Sequence, residues 1–277
     1  MKKLICVFLS VLMLCGFSCS LVFAEENAID VYVTIAIKGE FVSTYTKLSV
    51  NDADNDGSIT VADALFALHE AKYDGGAAKG FATADTEYGI SLIKLWGDDS
   101  GFFGYQNNNT SCMSLSDEVK DGDHVYAYVY TDTENWSDAY SFFDKATVSA
   151  DGSKEVTLVL NKSGYDANWT PITLPVENAV VTINGVESEY ATDSEGKVTI
   201  VFEEAGKYII SAKSNDVVIV PPVCIFNVKT EESLESGDND SIPNAGDNDM
   251  TVLYVILVVV SLVSAFIIYN RKTVNEK

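Results

Sequence analysis

Basic residues are scarce in this chain: 18 lysines and arginines face 41 aspartates and glutamates, for a net charge of −23. Nucleic acids and anionic membrane surfaces are bound through basic clusters, so this balance argues against both as partners. Histidine is scarcer still. Only His69 and His124 occur in 277 residues, with no HxxxH or CxxC spacing, so zinc and haem lack a ligand set. There is no GxSxG, no P-loop and no dinucleotide fingerprint either. The nearest thing to acid/base machinery is Asp98-Asp99 beside Trp96, and Asp121 and Asp123 beside His124, each in an ordinary turn context. The expectation is a protein that is not an enzyme.

Cysteine is also limited. Three of the five (Cys6, Cys15, Cys19) fall in the first 24 residues, leaving Cys112 and Cys224. An oxidising compartment permits a bridge, but the two lie in different predicted domains, and a pair of buried free thiols is the simpler reading.

The ends carry targeting signals. Residues 1–24 have Lys2 and Lys3, an apolar run and a small-residue end before Glu25-Glu26, the pattern of a secretory signal peptide. Residues 251–269 contain no charge and suffice to cross a hydrocarbon core, with Arg271 and Lys272 opening a cytoplasmic tail, 270–277. The body is therefore expected on the extracellular face. Just before the span, Ile242-Pro243-Asn244-Ala245-Gly246 resembles the LPxTG class of Gram-positive sorting signals, with Ile242 for Leu and Ala245 for Thr. That resemblance implies sortase cleavage between Ala245 and Gly246 and attachment to peptidoglycan. The alternative is a plain membrane anchor behind a stalk, since residues 229–250 are almost devoid of apolar side chains.

Between the ends the pattern is mostly β. Ala28–Ala36, Asp123–Tyr130 and Ser153–Leu160 alternate as strands, whereas Val61–Tyr73 places Ala64, Leu65, Leu68 and Ala71 at helical spacing. The predicted fold is an α+β head, mostly antiparallel with one helix, over residues 28–150. A connecting segment, 151–169, leads to a small all-β sandwich over 170–228. Turn signals at Asn184-Gly185, Ser194-Glu195-Gly196 and Ala205-Gly206 divide that second unit. Its tract "ATDSEGKVTIVF…AGKYIISAKS" resembles bacterial Ig-like surface repeats. Triplets such as "NWS", "NWT" and "NKS" match the N-glycosylation sequon, a pattern common by chance.

One stretch bears directly on function. In "DADNDGSITVAD" the residues Asp52, Asp54 and Asp56 sit at positions 1, 3 and 5, Gly57 at 6, Ser58 at 7, Thr60 at 9 and Asp63 at 12. This is calcium-loop spacing: three carboxylates on one turn, a main-chain carbonyl, a ligand at 9 and a last carboxylate from the following helix. Asp rather than Glu at position 12 resembles a dockerin half, which would imply a cohesin partner in an extracellular assembly. Dockerins carry two such loops, and only one is found here. The surrounding "GISLIKLWGDDSGFFGYQNNN" and "DEVKDGDHVYAYVY" resemble the C-terminal β-domain of transcobalamin and intrinsic factor, which implies a small ligand such as a corrinoid. The expected role is a calcium-binding, surface-anchored protein taking a corrinoid, a glycan or a host protein.

Overall fold

The computed structural model describes residues 28–150 and 155–229. The expected signal peptide, the expected stalk at 229–250 apart from residue 229, the sorting-like motif with Ala245 and Gly246, the expected span at 251–269 and the tail lie outside the described residues. Among the described residues no helix is long and apolar enough to cross a membrane. All of them belong to one unit, Met1–Thr230.

The head is built from β1 (Ile29–Ile37), β2 (Glu40–Val50), α1 (Val61–Lys72), the four-residue α2 (Ala77–Gly80), β3 (Ala82–Thr86), β4 (Gly89–Lys94), β5 (Phe103–Asn107), β6 (Thr110–Ser111) and β7 (His124–Val129). Its sheet runs β2-β1-β7-β5-β6, antiparallel except where β1 pairs with β7, and β3-β4 forms a separate hairpin. Alternate residues of β1 and β7 (Val31, Val33, Ile35, Val125, Ala127, Val129) meet Ala64, Leu65 and Leu68 of α1 in one core.

The other face of that sheet is buried as well, which is why all six residues of β7 are buried. Ala36, Tyr126 and Tyr128 pack there against Tyr140 and Val220 of the second module. Tyr126 Oη donates to the Pro221 carbonyl at 2.6 Å, and Tyr140 Oη donates to Asn109 Oδ1 at 2.9 Å. The tyrosines bury their rings and keep a partner for each hydroxyl. The Tyr128 ring also lies over Gly104, its register partner on β5, where a Cβ would collide with it.

The second module comprises β8 (Ala139–Phe143), β9 (Thr147–Ala150), β10 (Glu155–Tyr165), β11 (Pro171–Pro175), β12 (Val180–Ile183), β13 (Val186–Ala191), β14 (Lys197–Val201), β15 (Gly206–Lys213), β16 (Ile219–Val220) and β17 (Cys224–Val228). One sheet is β11-β10-β8-β16 with β14 also on β10, and the other is β13-β12-β15-β17-β9. Their inner faces enclose a core that includes Leu158, Ile200, Ile210 and Phe226. The first strand is split. β8 pairs antiparallel with β10 in one sheet, and β9 runs parallel to β17 in the other. Tyr208, near the start of β15, donates its hydroxyl to the Glu204 carbonyl at 2.8 Å and stacks on Phe202 at 4.2 Å. Two sheets with this pairing and a tyrosine corner at that position make an Ig-like sandwich.

The pairing moves the expected boundary. Residues 139–150 pair within the sandwich rather than the head, and 155–165 form a central strand rather than a connector. The polar run Asn161-Lys162-Ser163 hid this, because its partners on β11 supply backbone hydrogen bonds that side-chain patterning does not register. Cys112, half-buried, and Cys224, buried, are free thiols, and burial raises their pKa values to about 11 and about 12.

Candidate metal centre

The acidic loop hangs between β2 and α1, and the backbone explains its shape. Asn55 (φ 62°) and Gly57 (φ 98°) take left-handed conformations that fold residues 52–58 back on themselves. Asp52 holds that fold from inside: its Oδ2 accepts from Gly57 N at 2.8 Å and its Oδ1 from Asp56 N at 3.2 Å. These backbone donors lower the Asp52 pKa. At the far end Thr60 is the N-cap of α1. Asp63 Oδ2 accepts from Thr60 N (2.9 Å) and Thr60 Oγ1 (2.8 Å), and Thr60 Oγ1 in turn accepts from Asp63 N (3.4 Å), a capping box. Asp63 Oδ1 reaches back to Ala53 N at 2.9 Å, so one buried carboxylate ties both ends of the loop together. Thr60 also forms an isolated bridge with Glu118, and Ile59 packs against the head core.

This geometry brings three of the six predicted residues together. Carboxylate oxygens of Asp52, Asp54 and Asp63 lie within 4.8 Å of one another. Asp56 falls outside that group, its Oδ1 accepting from Ser58 N at 2.9 Å, and the Thr60 hydroxyl donates to Asp63 Oδ2. Burial, with the neighbouring negative charges of Asp56 and Asp63, raises the Asp54 pKa. A cation among these oxygens would relieve that repulsion. The donors are all oxygen, the ligand type that hard divalent ions take, and about four lone-pair directions per carboxylate leave Asp63 about one for a metal. The set therefore fits a calcium ion better than a soft one. A groove of about 400 Å³ beside the loop is lined by Asp63, Phe66, Ala67 and Glu70, among others.

The other polar residues singled out by sequence are committed to turns. Asp98 pairs with Lys38 at 2.9 Å and accepts from Ser100 N. Asp121 caps Asp30 N, while Asp123 accepts from Asn107, Asn108 and Lys120 N. His69 is buried, with Nδ1 donating to the Leu65 carbonyl at 2.6 Å and Nε2 accepting from Trp96 N at 3.0 Å. That tautomer follows from the two partners. His124 is buried beside Thr34 Oγ1 at 2.8 Å, and burial lowers its pKa to about 4.

The aromatic residues divide. Trp96 packs on His69 and Tyr73, Phe103 and Tyr105 join the head core, and Tyr140 and Phe142 join the seam between the modules. Trp136, however, is 61% exposed, and so is Trp169 (81%), which composition alone did not single out. No local pattern announced it, since the Asn-Trp-Thr triplet it sits in recurs by chance.

No family model matches the chain, and no curated protein matches it. Among solved structures it is similar to the D0–D1 domain of Intimin (14% identity, 73% of this chain and 97% of that one, TM-score 0.26). It is also similar to the Ig1–2 module of the Drosophila receptor protein tyrosine phosphatase DLAR (12% identity, 72% and 95%, TM-score 0.23). The N-terminal four Ig domains of Dscam1 isoform 4.44 match at 8% identity and TM-score 0.23, and 44% of that chain is covered. Likenesses this shallow decide nothing here. The Ig-like layout is read from the chain's own strand pairing and its Tyr208 corner.

Proposed function

We propose that the chain is a surface-displayed, non-enzymatic binding protein of a Gram-positive bacterium, whose head is clamped by one calcium ion in the Asp52–Asp63 loop. The observation that carries this reading is the convergence of Asp52, Asp54 and Asp63 at the N-terminus of α1. Asp56, the Ser58 carbonyl and Thr60 complete the ligand set in this reading. Calcium supplies positive charge that fixes the loop to the helix start, and it does no chemistry. The ligand of the head is a corrinoid, by the resemblance of Gly89–Tyr130 to the vitamin carriers, or a glycan or host protein. Attachment runs through Ala245 and Gly246 to peptidoglycan by way of sortase, or through residues 251–269 to the membrane.

Calcium titration calorimetry on residues 25–229 tests the clamp, with Asp52→Ala/Asp56→Ala as control. One saturable site lost in the variant, with a melting temperature raised by calcium and lowered by chelator, is the expected result. No heat of binding, or binding unchanged by the variant, would sink the proposal.

A further inference from the structure

Two turns, each built around an aspartate, hold a tryptophan out into solvent. In Asp132-Thr133-Glu134-Asn135-Trp136-Ser137, the Asp132 carboxylate accepts from Glu134 N, Asn135 N and Ser137 Oγ, and Trp136 N donates to the Asp132 carbonyl at 3.1 Å. In Asp166-Ala167-Asn168-Trp169-Thr170, Asp166 Oδ1 accepts from Asn168 N and Thr170 N, and Trp169 N donates to the Asp166 carbonyl at 3.0 Å. Both tryptophans sit at positive φ, 54° and 63°, a conformation that a bulky side chain rarely adopts. Each has an aromatic neighbour: Phe102 at 5.7 Å for Trp136, and Tyr165, itself 62% exposed, at 6.1 Å for Trp169. Trp136 also lies 6.4 Å from Tyr130, yet each indole remains more than half exposed despite its ring neighbours.

The strand pairing sets the two turns at the same end of one strand pair. β8 and β10 are antiparallel neighbours, with Phe143 opposite Leu160 and Ser141 opposite Lys162. Continued outward, that register sets Ala139 level with Gly164, so the Trp136 turn enters β8 at the end of the strand pair where β10 runs out into the Trp169 turn. The ladder itself ends at Ser141 and Lys162, and both turns lie beyond that end, where one extended ligand would have to span them.

We propose that Trp136 and Trp169, with Tyr165, form a stacking platform for a neutral polysaccharide. It rests on the reading of the chain as a surface binding protein and assigns the ligand to the turns before β8 and after β10 rather than to the calcium loop. Charge selects the occupant. The two turns carry Asp132, Glu134 and Asp166 and no lysine or arginine, which repels nucleic acid, acidic polymers and an anionic bilayer. The rings stand apart on polar tips flanked by Asn135, Ser137, Asn168 and Thr170, rather than merging into the broad apolar patch of a protein interface. Flat rings among amide and hydroxyl groups suit pyranose units, whose C–H faces stack while their hydroxyls remain hydrated.

Affinity electrophoresis of residues 25–229 through gels containing hydroxyethylcellulose, xylan or polygalacturonate tests this, alongside vesicles of phosphatidylcholine with phosphatidylglycerol. The expected result is retardation by at least one neutral polymer and none by polygalacturonate or vesicles. Trp136→Ala and Trp169→Ala each weaken it by roughly 2- to 12-fold, the range of one aromatic stacking contact, and the double variant weakens it by roughly 4- to 150-fold. Trp169→Asn, which suits the left-handed backbone, loses binding while its melting temperature rises. No retardation by either neutral polymer, retardation unchanged in the double variant, or tryptophan-dependent vesicle binding alone would overturn the proposal. Calcium titration of the double variant reads the head separately, so failure at one site is not mistaken for failure at the other.

Discussion

The head and the sandwich reach order by different means. In the sandwich, two sheets close over Leu158, Ile200, Ile210 and Phe226, and its Asn184-Gly185 turn needs only two residues at positive φ. In the head, carboxylates complete the backbone: Asp52, Asp63, Asp117, Asp121 and Asp123 each accept at least one main-chain N–H. Carboxylates cap main-chain N–H groups in the sandwich too, at Asp144, Asp166 and Asp193. What the head adds is a buried, neutral His124 and a helix start tied to its loop by the buried Asp63. The lesson is that acid, metal and cavity-forming substitutions should strike the two modules unequally.

The largest expected effect breaks the sandwich. Phe226 is fully buried among Phe202 and its neighbours, so Phe226→Ala should cost about 3–5 kcal/mol in urea unfolding curves. Acid should single out the head. His124 is held neutral, with a pKa lowered from 6.5 to about 4, so the unfolded chain binds the extra proton first. Stability is then complete above pH 6.5 and falls by about 3 kcal/mol as pH drops towards 4. A His124→Gln variant should flatten that slope in unfolding curves measured across the range, and an unchanged slope would refute the assignment.

Next in size is Asp63→Ala. It removes the capping box and the tie to Ala53, and should cost about 2 kcal/mol without calcium. Adding calcium should widen the gap to wild type, which differential scanning calorimetry with and without chelator reads directly. The smallest effect lies where the modules meet. Tyr126→Phe leaves the Pro221 carbonyl without its donor and should cost about 1 kcal/mol. It should also separate the unfolding transitions of head and sandwich; a single unshifted transition would show that the seam does not couple them.

The loop was legible because calcium-type spacing is local: Asp52 to Asp63 sets its own turn and caps its own helix within twelve residues. Strand Val186–Ala191 and its Asn184-Gly185 turn were legible for the same reason. Residues 139–165 were not, since "AYSFF" and Asn161-Lys162-Ser163 lack a clean alternation, and their partners lie far along the chain. The tyrosines of β7 read as an aromatic strand. That both its faces are buried follows only from the second module covering one of them.

By itself the sequence determined the acidic balance, the oxygen-rich loop, the α1 helix and the β-rich body, because charge, spacing and periodicity act between near neighbours. Tertiary structure decided which strands belong to which module, which three carboxylates converge, and which tryptophans face water. Trp96, Trp136 and Trp169 share a left-handed backbone, yet the first packs on His69 and the others stand exposed. What separates them is what the fold brings alongside, a contact between residues distant in sequence that no local pattern encodes.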